Sequence, residues 1–597
     1  MNERQSSPRG RRIGRRTFLG TVPAAVAAGV AAPALALAGQ GTTPPAAPAP
    51  AAAQQADTPL HFGVETLKSA EKVIGVGFKE SEEEMLLRGA NRNLESYQAL
   101  RTLEIPLDTE PAITFRPYLP GKRPPAAGPR MKTLRVSAPV VRVTSSLEDL
   151  AFQPVTALAP LVRDRKVSST NLTKMYLARL KKHGETLKCV VTLTEELALA
   201  QAAQADKDIA AGKYRGQLHG IPWGAKDLLA TKGIRTTWGA KPYENQVIDL
   251  DATVVERLRD AGAVLVAKLS MGSLAQGGVW FGGSTHNPWN IERSSSGSSA
   301  GPAAATAAGL VGFSIGTETL GSIISPCSAC GVTGLRPTYG RVSRYGAMAL
   351  SWTMDKIGTI CRSVEDCALA FNAIYGTDGR DDTVVDAPFA WNPDVPLGKL
   401  KIGYVKADFE NQTPPANMNE EAKKRFEARM AIMKDALDVF RKAGASLVPI
   451  ELPDFPAQAI RFILSTEAAA AFDDLTRSRG IDQLTAQAPG DWPNQFRMHR
   501  FVPAVEFIRA QRARTLLMRK YDGLMSTVDV FLSATGGASL VATNLTGHPA
   551  LCMKAGFVDK MPTALMITGR LYDEATLLRV ALAYEKGTNW QGMNPAI

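Results

Sequence analysis

Apolar and polar positions along this chain follow two rhythms, one helical and one of short apolar runs. From about residue 60 to 103 the apolar positions recur at helical spacing, centred on Glu82-Glu83-Glu84-Met85-Leu86-Leu87. Residues 105–145 lose that spacing and are rich in proline, which predicts extended chain. From Ser146 the pattern becomes denser. Helices are predicted from Leu147, over 171–182, over 193–211 and over 253–260. Apolar runs between and after them predict buried strands at 263–267, 311–315, 401–405 and 528–532. A strong amphipathic helix over 425–443 precedes another strand at 446–448. Strands alternating with helices predict an α/β fold: a large, largely parallel or mixed β-sheet sandwiched by α-helices, with an N-terminal helical extension at 59–145. The apolar pattern runs from 146 to 597 without a low-complexity break or an internal repeat, which predicts one large catalytic domain there.

The first 58 residues follow neither rhythm. Arg15-Arg16-Thr17-Phe18-Leu19 is a twin-arginine signature, followed by an Ala-rich apolar stretch to Ala38 that is interrupted by Pro23 and Pro33. Ala36-Leu37-Ala38 supplies a small-x-small cleavage site. Residues 1–38 therefore read as an export leader, and an exported, periplasmic or extracellular, protein is expected. Two prolines and many weakly hydrophobic alanines make the same stretch a poor membrane span, so no stable membrane insertion is expected after cleavage. Residues 39–58, mostly Pro, Ala, Gln and Thr, read as a linker.

Composition changes this picture little. Of the 597 residues, 45% are hydrophobic and 21% charged, as in a soluble protein with a sizeable core. The net charge of +12 is partly local, because residues 1–38 hold six arginines and one glutamate. The remainder is spread without a basic run interleaved with aromatics, so no nucleic-acid partner is expected. The six cysteines include Cys327-Ser-Ala-Cys330, but no second such pair and no nearby histidine pair completes a metal site. They read as buried thiols, with export leaving room for one disulfide. Neither a metal nor a cofactor is expected.

Three segments carry chemistry. In Gly220-Ile221-Pro222-Trp223-Gly224-Ala225-Lys226-Asp227 a lysine has few polar neighbours. Burial would favour its neutral amine, a usable general base; the alternative is a surface lysine paired with Asp227. Ser294-Ser295-Ser296-Gly297-Ser298-Ser299-Ala300-Gly301-Pro302 leads into an Ala-rich helix. It reads as a close backbone approach to a ligand or as an ordinary serine cap. In Gly316-Thr317-Glu318-Thr319-Leu320-Gly321-Ser322, a strand runs into a tight turn. Its consecutive N–H groups can converge on one oxygen and its terminal hydroxyl can be a nucleophile; alone it is equally a βα turn with a serine. Among the six histidines, His219 adjoins the lysine segment and reads as structural.

Together the three segments resemble the amidase signature family, whose G-I-P-x-x-x-K-D, G-G-S-S-x-G and G-T-D-T-G-G-S-I patterns align with 220–227, 296–301 and 316–323. Cys330-Gly331-Val332-Thr333-Gly334-Leu335-Arg336-Pro337-Thr338 and Asn544-Leu545-Thr546-Gly547-His548-Pro549-Ala550 look like two further blocks of that family. The resemblance covers about 146–584. It implies Ser322 as acyl-forming nucleophile, Ser298 as bridging serine after a cis Gly297–Ser298 peptide, and Lys226 as base. It also implies an oxyanion hole from the N–H groups of Thr319, Leu320, Gly321 and Ser322. The expected activity is hydrolysis of a small-molecule amide through an acyl-enzyme, with ammonia or an amine released.

Five positions depart from the family pattern. Leu320 replaces a glycine in the turn, where a side chain constrains dihedrals or narrows the acyl pocket. Ser296 replaces another glycine, and Glu318 stands for aspartate. Ile324-Ser325 occupy the place of an arginine that could hold a substrate carboxylate, which implies a neutral carboxamide substrate. Leu320 also motivates a non-catalytic scaffold as the alternative, beside an esterase or amidotransferase using the same site.

Overall fold

The computed structural model describes residues 60–597, apart from 104, 107–108, 110–112, 123, 125, 127, 129–130, 132, 142–145, 411–412 and 415–416. The leader at 1–38 and the linker at 39–58 lie outside the described residues. Val64–Ile597 form one compact unit.

The unit is built on an eleven-stranded mixed sheet. In chain order its strands are β1 (Val190–Leu193), β2 (Pro222–Lys226), β3 (Val264–Leu269), β4 (Phe313–Glu318), β5 (Thr333–Arg336), β6 (Lys356–Cys361), β7 (Lys401–Val405), β8 (Ser446–Ile450), β9 (Val530–Ala534), β10 (Ala550–Val558) and β11 (Met561–Gly569). Across the sheet they run β1-β3-β2-β4-β6-β5-β10-β11-β9-β7-β8. β2 is parallel to β3 and β4, and β7 to β8 and β9, while the remaining pairs are antiparallel. β3 and β6 are buried along their whole length. Successive residues of β3 feed different cores: Val264 and Val266 join one apolar cluster and Leu265 the other. A strand buried on both faces favours such an apolar run, which is why β3 stands out in the sequence at 263–267.

The fold class expected from the sequence is the one observed; β1, β2, β5, β6, β10 and β11 are not among the expected strands, and other differences lie at element edges. The helix expected from Leu193 begins at Glu195, because Leu193 ends an edge strand in which Thr192 and Leu193 pair with Lys268 and Ala267. The strand expected at 311–315 spans Phe313–Glu318, so half of the expected turn motif is strand. That expected at 528–532 spans Val530–Ala534. The helix expected from Leu147 is a short 3-10 turn, Leu147–Leu150, followed after Pro154 by Val155–Arg163. The helical pattern at 60–103 folds as two helices, Val64–Ile74 and Glu80–Leu100, separated at Gly75 and Gly77.

Four helices bear on the site and its surroundings: α1 (Ala300–Ala307), α2 (Ile324–Cys330), α3 (Ala504–Thr527) and α4 (Gly537–Thr546). Among the described residues, no helix is long and apolar enough to cross a membrane, and no group of three or more His, Cys, Asp or Glu could hold a metal. All six cysteines are free and buried.

Candidate active site

Lys226 is the last residue of β2, the third strand from one edge of the sheet and paired on both sides. Gly224 lets the strand pass its neighbour, since a Cβ there would sit 2.3 Å from Leu269 Cδ1. The Lys226 side chain is fully buried. Its Nζ lies 2.8 Å from Ser298 Oγ, 2.8 Å from Thr317 Oγ1 and 3.4 Å from the Thr317 carbonyl. Burial lowers its pKa to about 7, against the opposing pull of Asp355 and Glu318. The alternative of a surface lysine paired with Asp227 is overturned. Asp227 is itself buried, pairs with Lys268 at 3.3 Å and accepts the Thr237 N–H at 2.9 Å.

Ser298 follows a cis Gly297–Ser298 peptide and is 1% exposed. The glycines of this segment are close approaches. A Cβ on Gly297 would lie 1.8 Å from the Gly277 carbonyl oxygen, and one on Gly301 2.5 Å from the Ser270 nitrogen. Ser296 adopts φ 64, the left-handed conformation that glycine adopts freely. Ser299, at the start of α1, gives no side-chain cap, so the ordinary-cap reading fails. Its hydroxyl instead donates to the Thr317 carbonyl at 3.1 Å and accepts the Thr317 N–H at 3.2 Å. Its own N–H donates to the Ser322 carbonyl at 3.1 Å. Ser299 thus ties the serine segment to both ends of the turn motif.

The turn after β4 bends at Gly321, φ +83, where a Cβ would press on Ser325 Oγ at 3.0 Å. The N–H groups of Thr319, Leu320, Gly321 and Ser322 meet no intramolecular acceptor among the described residues. Four consecutive free donors in a partly buried turn are suited to a developing negative charge. Ser322 is 8% exposed, and its hydroxyl has no intramolecular partner among the described residues. Leu320 does not fill this turn. It is half-buried against the apolar cluster of Met354, Ala510, Leu517 and Leu545. His219 is buried and its Nδ1 accepts the Arg215 N–H at 3.1 Å, a structural position.

Several further residues hold this turn. Glu318 accepts the N–H groups of Ile323 at 2.8 Å and Ile324 at 2.9 Å, capping the start of α2. It also pairs with buried Arg336 at 2.8 Å and accepts from Asn544 at 2.8 Å. Burial alone would raise its pKa, but Arg336 and the Ile324 N–H outweigh burial and hold it at about 2. Asp355 accepts from the Thr319 hydroxyl at 2.6 Å and from the N–H groups of Leu350 and Ser351. Buried Lys356 donates to the Thr319 carbonyl at 3.3 Å and to that of Met354. Thr317 and Glu318 lie within the motif and are legible as positions, though not in these roles. Asp355 and Lys356 carry no reading in the sequence, and nothing in the sequence joins them to residue 319.

Comparison with known proteins accords with this geometry. A sequence model described as Amidase matches residues 171–539. The A subunit of the glutamyl-tRNA(Gln) amidotransferase from Dehalococcoides mccartyi is 35% identical over 503 residues, covering 76% of this chain and 100% of that one. Its counterpart from Coxiella burnetii is 33% identical over 492 residues, covering 73% and 97%. Among solved structures, the native peptide amidase of Stenotrophomonas maltophilia superposes with a TM-score of 0.63 at 29% identity, covering 73% of this chain and 96% of that one.

Proposed function

Because the chain belongs to the amidase family and is an amide-hydrolysing enzyme, we propose that Ser322 is its nucleophile, Ser298 its proton relay and Lys226 its base, acting on a neutral carboxamide. The observation that carries this reading is the buried Lys226 amine, 2.8 Å from Ser298 Oγ and with a pKa of about 7. A lysine so placed is substantially neutral at neutral pH and can accept a proton.

The reaction follows from those positions. Neutral Lys226 takes the Ser298 proton as Ser298 takes that of Ser322, and Ser322 Oγ attacks the amide carbonyl carbon. The carbonyl oxygen becomes negative and is met by the free N–H groups of 319–322. When the C–N bond breaks, Ser298 returns a proton to the leaving nitrogen and Lys226 restores the Ser298 proton. The acyl group remains on Ser322. Water then attacks, giving its proton to the same relay; the C–O bond breaks, the acid leaves and Ser322 regains its proton. Ester hydrolysis would use the same steps.

The first turn of α2 supports a neutral substrate. Ile324 is fully buried and Ser325 uncharged, so no cation follows the nucleophile to hold a carboxylate. The similarity to amidotransferases favours a second reading, in which the released ammonia is passed on rather than lost. Strong glutamine hydrolysis that rises when a partner protein is added would select it. Export through the 15–19 signature belongs to the first reading, and recovery of a mature chain starting at Gly39 outside the cytoplasm would test it.

A fluorophosphonate probe and a panel of neutral amides test the nucleophile directly. Wild type should be labelled and active; Ser322→Ala should lose both, with kcat/KM down by about 10³-fold or more. Absence of labelling in folded wild-type protein would instead favour a non-catalytic scaffold.

A further inference from the structure

Near the reaction turn lies a cavity that the proton relay does not use. It measures about 570 Å³, the size of small-molecule sites, and its walls include Ile113, Phe115, Trp352, Ala470, Phe507 and Met518. Ile113 and Phe115 come from the N-terminal extension, outside the region matched by the family.

Trp352 joins this cavity to the chemistry. It also lines a small cavity of about 50 Å³ whose wall carries Thr317 and Thr319. Thr317 touches Lys226, and Thr319 is the first of the free N–H donors. The Trp352 carbonyl is held by Tyr339 Oη and Arg344 Nη1, each at 2.6 Å, so its backbone is fixed between the two spaces.

The extension is fastened where it closes the cavity. Phe115 packs edge-on against Tyr339 at 5.1 Å, with the Arg514 guanidinium 3.5 Å from its ring centroid. Pro117 sits so close to Gly547 that a Cβ there would lie 2.8 Å from Pro117 Cβ. Lys122 pairs with Asp522 at 2.6 Å. Residues 113–122 contain no helix or strand, so these contacts hold the segment in place. Two of the three charged groups at the wall, Glu467 and Arg514, are buried and partnered, and the third, Arg116, is exposed. Glu467 accepts from Ser351 and Thr353, and Arg514 donates to Thr353 and to the Leu545 carbonyl. The cavity is therefore lined mainly by apolar surface, with its buried charges satisfied.

We propose that this cavity, completed by residues 113–120, receives the apolar acyl group of the amide substrate, and that Trp352 sets how long that group can be. The inference rests on Ser322 being the nucleophile. The leaving nitrogen must face Ser298, which supplies its proton, so the acyl group points away from Ser298. Leu320, in the turn, packs on the same apolar cluster as Phe507, a wall of the cavity.

The test uses the full chain and two graded series: primary amides from acetamide through hexanamide to decanamide, and N-alkyl acetamides of matching length. In wild type, kcat/KM should rise along the acyl series. Ala470→Trp, which projects from an exposed position into the cavity, should lower the decanamide-to-acetamide ratio by about tenfold or more. Ile113→Trp fills the cavity from the extension side and should act in the same direction. Trp352→Ala should raise the ratio. Ratios unchanged in all three variants, with Ser322→Ala still inactive, would overturn the subsite and leave the nucleophile reading intact. A response confined to the N-alkyl series would overturn it by assigning the cavity to the amine side. Full turnover by Ser322→Ala would remove both.

Discussion

Lys226 shows how one residue's surroundings decide its chemistry. Next to Asp227 in sequence, it has two open readings, a surface ion pair or a buried base. Burial at the end of an interior strand leaves it uncharged for much of the neutral range, since a fall from 10.5 to about 7 corresponds to about 5 kcal/mol against the charged form. With Lys226 as the proposed base, the deprotonated form would be the active one, so activity should rise as pH passes about 7 and level off above it. A flat or acid-favouring profile of kcat/KM would count against Lys226 as base. The charged groups facing the amine are Asp355 and Glu318, both of which favour its protonated form. Removing one of these anions should move the rise to lower pH, and Asp355→Asn is the variant to measure. It should also reduce kcat, because Asp355 holds the Thr319 hydroxyl. An upward shift of the rise would contradict the electrostatic argument.

Among the elements, glycines and one left-handed serine shape the site. The Ser-rich segment looks like a flexible loop in the sequence, but it packs tightly against 277–278. Gly297→Ala forces a methyl against a backbone carbonyl and should destabilise the fold by about 4 kcal/mol or more. Ser296→Gly relieves a left-handed serine while loosening the unfolded chain, so it should change stability by less than about 1 kcal/mol. Denaturant unfolding of the two variants measures the contrast, and a native-like Gly297→Ala would show that the close approach is wrong. The same packing explains the displaced strand edges. β4 continues through Gly316, Thr317 and Glu318 although these are not apolar, because Ser299, Lys226 and Arg336 satisfy their polar groups. Hydropathy sees only the apolar half, 313–315, and ends the strand early.

Across the whole molecule, Arg336 joins segments far apart in sequence. It pairs with Glu318 and donates to the Thr543 hydroxyl and the His548 carbonyl, fully buried throughout. The C-terminal block at 544–550 therefore holds the turn after β4 through Arg336 and Glu318. Arg336→Met should leave Glu318 as an uncompensated buried charge and cost about 3–5 kcal/mol in unfolding free energy. Activity should fall with it, because Glu318 also holds the N–H groups of Ile323 and Ile324. Near-wild-type stability of this variant would show that the pair is dispensable.

The linear chain already carries the alternation of strands and helices, the motif segments and their order, and the residue types able to serve as nucleophile, relay and base. Those properties are local: periodicity, glycine spacing and the identity of a side chain are all written in neighbouring residues. Folding was needed to bury Lys226 beside Ser298, to pack Leu320 away from the turn, and to set Asp355 and Arg336 where they hold the turn in shape. It also brought residues 113–120 to the wall of a cavity beside the reaction site. Desolvation and paired charge depend on groups brought together from distant segments, as Glu318 and Asn544 are across 226 residues. Over such a separation a linear pattern carries no signal.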